Sequence, residues 1–198
     1  MKDLLLILAS KSASRRAMLE AAAIRHEAVP AHVDEDAVKA AMAGQPIADV
    51  ALALAKAKAL AISAQHPDRL VLGSDSMVVV ADRRFDKPVS RADAADHLRY
   101  FSGRVMELHS SAVLAKGGTV LAALPDRALL HVRPLDEAFI AAYLDAEWPA
   151  ISGCVGCFRI EARGVHLFDR IEGDHFTILG MPLFPVLKAM RDLGHGGL

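Results

Sequence analysis

The chain has 198 residues, a length at which one compact domain is the ordinary expectation. Hydrophobic residues make up 53% of the sequence and charged residues 24%, a composition that excludes a disordered protein. Because 23 Lys and Arg residues face 24 Asp and Glu residues, the net charge of -1 excludes broad electrostatic attraction to nucleic acid or to an anionic membrane, and an anionic ligand must be bound by local groups.

The first half of the chain alternates between strand-like and helix-like segments. Residues 4–9 are apolar at every position, which predicts a strand that is covered on both faces. The elements expected after it are a helix around Ala17, Leu19 and Ala21, a short strand over 25–30, a helix that starts at Asp34-Glu35-Asp36 and an alanine-rich helix over 47–64, with breaks at 44–46 and 66–68.

The second half contains a polar interruption and a hairpin signal. Residues 70–72 and 77–80 predict a buried strand that is interrupted at 73–76, where the chain is expected to surface. The remaining expected elements are a helix over 91–101, a hairpin with strands over 105–115 and 119–124 around Gly117-Gly118, a helix over 135–147, one or two strands over 157–167 around Gly164, and a closing helix over 182–193. This mixture predicts an α/β protein with a mixed sheet, formed as a single domain over 1–198.

No segment predicts a membrane span or a secretory signal. The longest run without Asp, Glu, Lys or Arg is 175–187, which contains Gly180 and two prolines and is too short to cross about 30 Å of hydrocarbon. The N-terminal apolar stretch is one strand long, and its charges follow it instead of preceding it. We therefore expect a cytoplasmic protein.

The segment between the first strand and the first helix is a candidate phosphate site. It carries three hydroxyls and three cations in the run Ser10-Lys11-Ser12-Ala13-Ser14-Arg15-Arg16. Free N–H groups at a helix start attract phosphate, hydroxyls donate to its oxygens, and an arginine binds two of them at once. A serine N-cap followed by solvated arginines explains the same residues equally well, and neither a Walker nor a Rossmann glycine pattern is present.

Asp75 is the second candidate, because it is a carboxylate within a strongly apolar segment. Burying it without a partner is costly, so such an aspartate binds a metal, accepts a proton from water or accepts hydrogen bonds from a nearby loop. Lys56 and Lys87 are cations that could converge on the same phosphates, although each by itself is typical of a surface lysine.

Cys154-Val155-Gly156-Cys157 has the C-x-x-C spacing of a redox pair or of half a zinc site. A redox motif of this kind opens a helix after an early strand, and a zinc site needs a second pair of ligands. Here the motif precedes the strand-like run 158–160 near the end of the chain. This context favours packed, inert thiols.

Several segments together resemble the Maf family of nucleoside triphosphate pyrophosphatases, and the resemblance spans nearly the whole chain. The opening run 8–16 is similar to the family pattern L-A-S-x-S-P-x-R-R. The other matches, in chain order, are Asp34-Glu35 with D-E, Lys56-Ala57 with K-A, Gly73-Ser74-Asp75 with G-[AS]-D, Lys87-Pro88 with the end of G-K-P, Ser102-Gly103-Arg104 with S-G-[RK], and Leu179-Gly180-Met181-Pro182-Leu183 with V-G-L-P-L.

The resemblance implies an elongated α/β fold with a central mixed sheet flanked by helices, a deep cleft between two lobes, and frequent homodimers. It implies hydrolysis of a nucleoside triphosphate to its monophosphate and pyrophosphate with a divalent cation, Mg²⁺ or Mn²⁺. Glu35 and Asp75 would bind the metal, and Asp75 would be the proton acceptor. The implied substrate-binding residues are Ser10, Ser12, Ser14, Arg15, Lys56, Ser76, Lys87 and Glu161.

Departures from the family patterns bear on the base. Glu161 stands where pyrimidine-preferring members have glutamine, and a carboxylate accepts hydrogen bonds from the N1 and N2 edge of guanine. This likeness is to the branch that prefers 7-methyl-GTP. That branch usually has tryptophan at the position of Ser14 and glutamine at that of Ser76.

Two classes of function remain open at this point. One is the enzyme just described, and the other is a nucleotide-binding regulator of cell division or septation without essential catalysis. A pure sensor needs the phosphate-binding residues but does not need a carboxylate at position 75, so the presence of Asp75 favours catalysis.

Overall fold

The computed structural model describes residues 5–195, so the predicted start of the first strand at residue 4 lies outside the described residues. Within that range the chain forms two compact units. The first comprises the residues up to 76, 109–126 and those from 175 onward, and the second comprises 77–108 and 127–174. The single domain over 1–198 and the deep cleft between two lobes stay predictions.

Helices and strands follow one another along the chain as the sequence predicts for an α/β protein. The helices are α1 (Ala13–Ala21), α2 (Glu35–Ala41), α3 (Ile47–Gln65), α4 (Arg91–Phe101), α5 (Glu137–Glu147), α6 (His175–Ile178) and α7 (Leu183–Asp192). The strands are β1 (Leu6–Leu8), β2 (His26–Ala28), β3 (Val71–Val80), β4 (Arg83–Phe85), β5 (Val105–Lys116), β6 (Thr119–Val132) and β7 (Phe168–Glu172).

The described strands form one mixed sheet in the order β2-β1-β3-β5-β6-β7, with β4 paired to β3. Strand β1 is parallel to both β2 and β3, with Ile7 opposite Val71 and Leu8 opposite Leu72. Strands β4 and β7 pair in the antiparallel sense with β3 and β6. The predicted mixed sheet flanked by helices is therefore confirmed.

In the first unit, helices cover both faces of the sheet. Leu6 and Leu8 of β1 pack with residues of α1 and α7, whereas Ile7 packs with Ile62 of α3. Alternate side chains of a strand point to opposite faces, and here both faces are apolar. This burial explains why β1 is apolar at every position.

In the second unit, α4 and α5 are joined by surface ion pairs. The guanidinium of Arg99 donates to both oxygens of Glu137, and Arg91 pairs with Asp145. Phe85 of β4 packs against the ring of Phe101 at a centroid distance of 4.7 Å. The core of this unit includes apolar residues of α5 and β5 as well as those of α4 and β4.

The hairpin predicted at Gly117-Gly118 is confirmed between β5 and β6. Gly117 and Gly118 both have positive φ angles, 55° and 75°, as a tight hairpin turn with the twist of its strands requires. Strand β6 continues to Val132, well beyond the predicted end at residue 124.

Two of the predicted elements are corrected. Strand β3 runs without a break through 73–76, and Gly73 and Ser74 are buried instead of surfacing. The strands predicted over 157–167 are wrong, because this segment contains turns and a 3-10 helix over Arg163–Leu167. Cys157 has a φ of 57°, a conformation that interrupts extended backbone, and the strand β7 begins only at Phe168.

Gly73 lets α3 approach β3 closely enough to bring its side chains over the strand. A Cβ atom at this position would lie 2.3 Å from the carbonyl oxygen of Ala55 and 2.6 Å from the backbone N of Ala59. Both atoms belong to the backbone of α3 and cannot move aside without moving the helix.

Gly73→Ala is therefore expected to lower the free energy of unfolding by about 2–3 kcal/mol, because the added methyl group overpacks this contact. Urea denaturation measures the change. Gly153→Ala is the matched control, since nothing lies within 4 Å of the Cβ added at Gly153. Equal free energies of unfolding for the two variants would show that α3 and β3 can move apart without a loss of stability.

Candidate active site

The turn from β1 into α1 is held by serine hydroxyls. The Oγ of Ser12 caps α1 and accepts from the backbone N–H of Arg15 at 3.4 Å, as the N-cap interpretation predicted. The Oγ of Ser14 lies 2.9 Å from the Oγ of Ser12, and the Oγ of Ser10 accepts from the backbone N–H of Ser12 at 3.2 Å. The three serines are thus linked at the helix start, Ser12 and Ser14 through their hydroxyls and Ser10 through the backbone N–H of Ser12.

Arg15 is the buried cation of this segment, which contradicts the alternative of solvated arginines at this position. Its side chain is 8% exposed in relative terms. Nη1 donates to the Oγ of Ser10 at 3.2 Å, Nη2 to the Oγ of Ser76 at 3.2 Å, and Nε to the carbonyl oxygen of Gly180 at 2.9 Å. All of these acceptors are neutral, and among the described residues Arg15 forms no direct ion pair.

Burial lowers the pKa of the Arg15 guanidinium below its usual range, and the negative charges of Asp75 and Glu35 act in the opposite direction. An arginine stays protonated in proteins, so the group remains a cation held by neutral oxygens. The guanidinium has more N–H donors than its three bonds use. This arrangement favours an anion as the missing partner.

A second layer of hydroxyls supports the Arg15 site. The Oγ of Ser76 lies 2.8 Å from the Oγ of Ser110, which donates to the carbonyl oxygen of Thr177 at 2.8 Å. Ser74 and Ser76 both lie within donor distance of the Gly180 carbonyl oxygen, at 3.2 and 3.0 Å. Ser110 was not predicted from the sequence, because an isolated serine in an apolar strand carries no motif. Ser74 was part of the Gly73-Ser74-Asp75 match, but no role was assigned to it.

Asp75 is paired with a lysine of α3. The Nζ of Lys58 lies 2.6 Å from the Oδ1 of Asp75 and 2.8 Å from the Oε1 of Glu35. The side chains of Lys58 and Asp75 are 11% and 13% exposed, and that of Glu35 is 43% exposed. Glu35 is at the first position of α2, where Asp34 caps the helix. One ammonium group thus joins the two carboxylates that the resemblance assigns to the metal.

Lys56, the lysine chosen from the sequence, is exposed on α3 and has no recorded ion pair among the described residues. Two positions along a helix differ by about 200°, so Lys56 and Lys58 point in nearly opposite directions. The pattern K-A fits Lys58-Ala59 as well as it fits Lys56-Ala57. Lys58 follows the fully buried Leu54 by four residues and shares its side of the helix. Lys56 follows Leu52 at the same spacing, so the sequence does not distinguish the two lysines.

The two parts of this site lie beyond the carboxyl end of β1. The backbone N–H of Ala9 donates to Leu72, and from there β1 ends while β3 continues to Asp75 and Ser76. Neighbouring residues of a strand point to opposite sides, so Asp75 meets Lys58 and Ser76 meets Arg15. In open α/β sheets, ligands bind at such carboxyl ends.

The donor set at Asp75 suits a divalent cation such as Mg²⁺ or Mn²⁺. Mg²⁺ is usually held by one or two carboxylates together with substrate phosphates, and Glu35 and Asp75 supply two carboxylates. Among residues 5–195, no group of three or more His, Cys, Asp and Glu side chains is placed to hold a metal ion. Bound by two carboxylates, Mg²⁺ would complete its coordination with waters and with the phosphates of a substrate.

Lys87 and Glu161 lie in the second unit, and both are exposed. Both are close enough to Cys154 to influence the pKa of its thiol, Glu161 by raising it and Lys87 by lowering it. Their contribution to substrate binding stays a prediction.

The two cysteines are free thiols in a protected environment. Cys157 is buried, its Sγ lies 3.4 Å from the Nδ1 of His97, and its backbone carbonyl accepts from the hydroxyl of Tyr143. Burial raises the pKa of Cys157 to about 12 and also raises the pKa of Cys154. The protonated form is the unreactive form, which agrees with packed, inert thiols.

At pH 8, where both thiols are expected to remain protonated, the folded protein should react with a disulfide reagent at less than about one tenth of the rate of the urea-unfolded chain. Release of the chromophore from Ellman's reagent measures both rates. Increasing the pH toward the pKa of Cys157 should increase the rate at which the folded protein reacts with the reagent. Fast reaction of the folded protein at pH 8 would contradict the inert interpretation.

No helix within residues 5–195 is long and apolar enough to cross a membrane.

Comparison with known proteins gives one family and close relatives. The family model described as Maf-like protein matches residues 5–193. The 7-methyl-GTP pyrophosphatase of Rhizobium etli is 47% identical over 191 residues, which cover 96% of each chain. The nucleoside triphosphate pyrophosphatases of Granulibacter bethesdensis and Sphingopyxis alaskensis are 48% and 45% identical, and the alignments cover 94% and 96% of this chain and 95% and 97% of theirs.

A solved structure of a HAM1 protein from Coxiella burnetii aligns with a TM-score of 0.42 and 17% identity, over 65% of this chain and 73% of that one. This likeness is too slight to bear on the fold.

Proposed function

This chain belongs to the Maf family, and from that premise we propose that it is a nucleoside triphosphate pyrophosphatase. Such an enzyme hydrolyses a nucleoside triphosphate to its monophosphate and pyrophosphate. The names of relatives that are 45–48% identical over nearly their full length support this activity.

One observation in the structure carries the proposal. Arg15 is a buried cation whose recorded hydrogen bonds, among the described residues, all go to neutral oxygens. A buried charge without a direct counter-ion is costly, and an arginine fork is suited to two phosphate oxygens at once. A phosphate group supplies the missing negative charge, and the hydroxyls of Ser10 and Ser76 hold the guanidinium in place to receive it.

In this reaction, we assign the carboxylate of Asp75 the role of proton acceptor. The oxygen of water attacks the α-phosphorus, the bond to the bridging oxygen breaks, and pyrophosphate leaves with the electron pair. Asp75 accepts the proton that water releases. Its Oδ1 is engaged by Lys58, while no hydrogen bond to its Oδ2 is recorded within residues 5–195, so Oδ2 is the oxygen suited to this role.

The remaining residues of the first unit neutralise and orient the triphosphate. We assign Lys58 the phosphate-binding role that the sequence suggested for Lys56, because Lys58 is the lysine beside Asp75. Ser12 and Ser14 present hydroxyls at the N-terminus of α1, where the helix dipole also favours a phosphate. When bound by Glu35 and Asp75, a divalent cation supplies charge neutralisation of the leaving pyrophosphate.

We propose 7-methyl-GTP or another modified nucleotide as the substrate. Support comes from Glu161, whose carboxylate can accept from the guanine edge and favours the positive charge of a 7-methylated ring, and from the names of two relatives. Lys87 is a further residue that we propose to bind the triphosphate.

Hydrolysis of a nucleotide panel tests the proposed activity. Purified protein with Mg²⁺ or Mn²⁺ is incubated with the common nucleoside triphosphates and with 7-methyl-GTP, and pyrophosphate release is measured. Release from at least one nucleotide, with the matching monophosphate as the other product, is expected. Absence of release from every member would refute the enzyme and leave the nucleotide-binding regulator of cell division or septation.

Glu161→Gln is expected to lower kcat/KM for 7-methyl-GTP by about tenfold relative to unmethylated GTP, because the amide is neutral and cannot favour the cationic ring. The same panel, measured for both proteins, gives the ratio. An unchanged ranking of the nucleotides would show that Glu161 does not determine the preference for the base.

We also propose that the protein works in the cytoplasm on free nucleotides, not on nucleic acid or at a membrane, and that it forms a homodimer. The near-neutral net charge of -1 supports action on free nucleotides instead of nucleic acid or a membrane surface. The family resemblance is the ground for the homodimer. Light scattering of the purified protein measures the mass that decides between monomer and dimer.

A further inference from the structure

Lys58 occupies the place between the two carboxylates that the proposed function assigns to a divalent cation. We propose that Lys58 is a displaceable counter-ion, which holds Glu35 and Asp75 in the ligand-free protein and leaves them when the metal and the triphosphate bind. This inference rests on the proposed function, because it concerns the metal and the substrate of the same site. It makes Lys58 a positioning residue for the metal ligands.

The distances oppose simultaneous use of the same two carboxylate oxygens by Lys58 and a metal ion. The Nζ of Lys58 lies 2.6 Å from the Oδ1 of Asp75 and 2.8 Å from the Oε1 of Glu35. A divalent cation approaches carboxylate oxygens to about 2.0–2.2 Å, closer than the ammonium does, so Lys58 and a metal ion compete for these two oxygens. Two cations at such separations also repel strongly in a half-buried site. The ammonium must move before a metal can bridge the pair.

The chemistry of lysine suits such a movement. Its ammonium is a compact charge on a flexible four-carbon stem, with three donors that are not fixed in direction. Arg15 differs, because its planar guanidinium is held by Ser10, Ser76 and the carbonyl of Gly180 from three directions. The site therefore combines a fixed cation with a movable one.

A bound triphosphate offers new hydrogen-bond acceptors to the ammonium of Lys58. When Lys58 transfers its hydrogen bonds from the carboxylates to phosphate oxygens, its charge stays neutralised and the carboxylates become available to a metal. Metal binding and nucleotide binding then favour each other through Lys58, and the coupling is reciprocal. In the absence of nucleotide, the protein is expected to bind divalent cations weakly, although two carboxylates are in place.

The test is Mn²⁺ binding to the nucleotide-free protein, followed by the electron paramagnetic resonance signal of free Mn²⁺. Lys58→Gln removes the charge and keeps a polar side chain, and it is expected to bind Mn²⁺ at least about tenfold more tightly than the wild type. Lys58→Arg keeps the charge and is expected to bind as weakly as the wild type. Lys56→Gln removes an exposed lysine of the same helix and is expected to leave Mn²⁺ affinity unchanged.

Two further measurements locate the effect. The double variant Lys58→Gln with Glu35→Gln should not bind Mn²⁺ more tightly than the wild type, because a neutral amide then replaces one of the two carboxylates. Mn²⁺ should raise the Tm of Lys58→Gln, and of Lys58→Met as a second charge-removing variant, by more than it raises the Tm of the wild type, since a ligand stabilises the folded state that binds it.

Equal Mn²⁺ affinity of the wild type and Lys58→Gln would overturn the inference, as would weak binding by every variant. A gain of the same size in Lys56→Gln would overturn it too, because the effect would then be one of overall charge. None of these measurements uses a nucleotide. A failure here accompanied by pyrophosphate release in the nucleotide panel refutes the counter-ion alone, whereas tight Mn²⁺ binding without any hydrolysis refutes the enzyme and keeps the counter-ion.

Discussion

The Asp75→Asn variant is expected to lose about 10²–10⁴-fold in kcat, the usual contribution of a positioned general base. Asparagine has nearly the shape of aspartate and its carbonyl oxygen can still accept from Lys58, so the surroundings of α3 and β3 should persist. The amide cannot take a proton from water at neutral pH. Pyrophosphate release under saturating substrate measures kcat, and calorimetric titration with a non-hydrolysable triphosphate measures binding, which should change by less than about tenfold.

Asp49→Asn is the matched control for this variant, since Asp49 is an exposed aspartate in the first turn of α3. It should retain the kcat of the wild type. If Asp75→Asn keeps full activity, the carboxylate is not the proton acceptor. If it loses binding together with kcat, Asp75 acts mainly by organising the site through Lys58 and Glu35.

Arg15→Lys is expected to lower kcat/KM by about 100-fold or more, because each hydrogen bond from a charged group to phosphate contributes about 1.5–3 kcal/mol. Lysine keeps the charge, yet a single ammonium cannot hold Ser10, Ser76 and the Gly180 carbonyl while also binding phosphate, as the guanidinium fork is placed to do. Most of the loss should be in KM, because the guanidinium contributes to ground-state binding of the triphosphate.

Arg191→Lys is the corresponding control, because Arg191 is exposed on α7. Circular dichroism and Tm establish that Arg15→Lys is folded before its kinetics are compared. Retention of wild-type kcat/KM by Arg15→Lys would mean that the buried guanidinium is structural. The anion site would then have to lie elsewhere.

Local physics explains the elements that were predictable from the sequence. The alanine-rich run becomes α3 because alanine has the highest helix propensity, and the apolar run becomes β1 because it is buried on both faces. The two glycines at 117–118 make the hairpin because they adopt positive φ. The ordered family patterns also indicated the segments of the site, including Arg15, Asp75 and Glu35.

The errors arose where long-range contacts decided the outcome. Gly73 and Ser74 were expected to surface because they are polar or lack a side chain. Gly73 is instead the position where α3 approaches β3 closely. The hydroxyl of Ser74 donates to the carbonyl oxygen of Gly180, which is more than one hundred residues away in sequence. At 157–167, apolar residues resembled a strand, but the backbone closes turns there, with the N–H of Ala162 donating to the carbonyl of Arg159 and the N–H of Val165 donating to that of Ala162.

By itself, the sequence determined the class of fold, the positions of most helices and strands, and the family to which the chain belongs, because propensity, periodicity and motif order are local properties. Only the tertiary structure decided that Lys58 and not Lys56 meets Asp75, and that Arg15 is buried among hydroxyls without a direct ion pair. The choice between two lysines in one helix depends on which side of α3 faces β3. The state of Arg15 depends on partners from β3 and from the segment that precedes α7, and no local pattern contains that information.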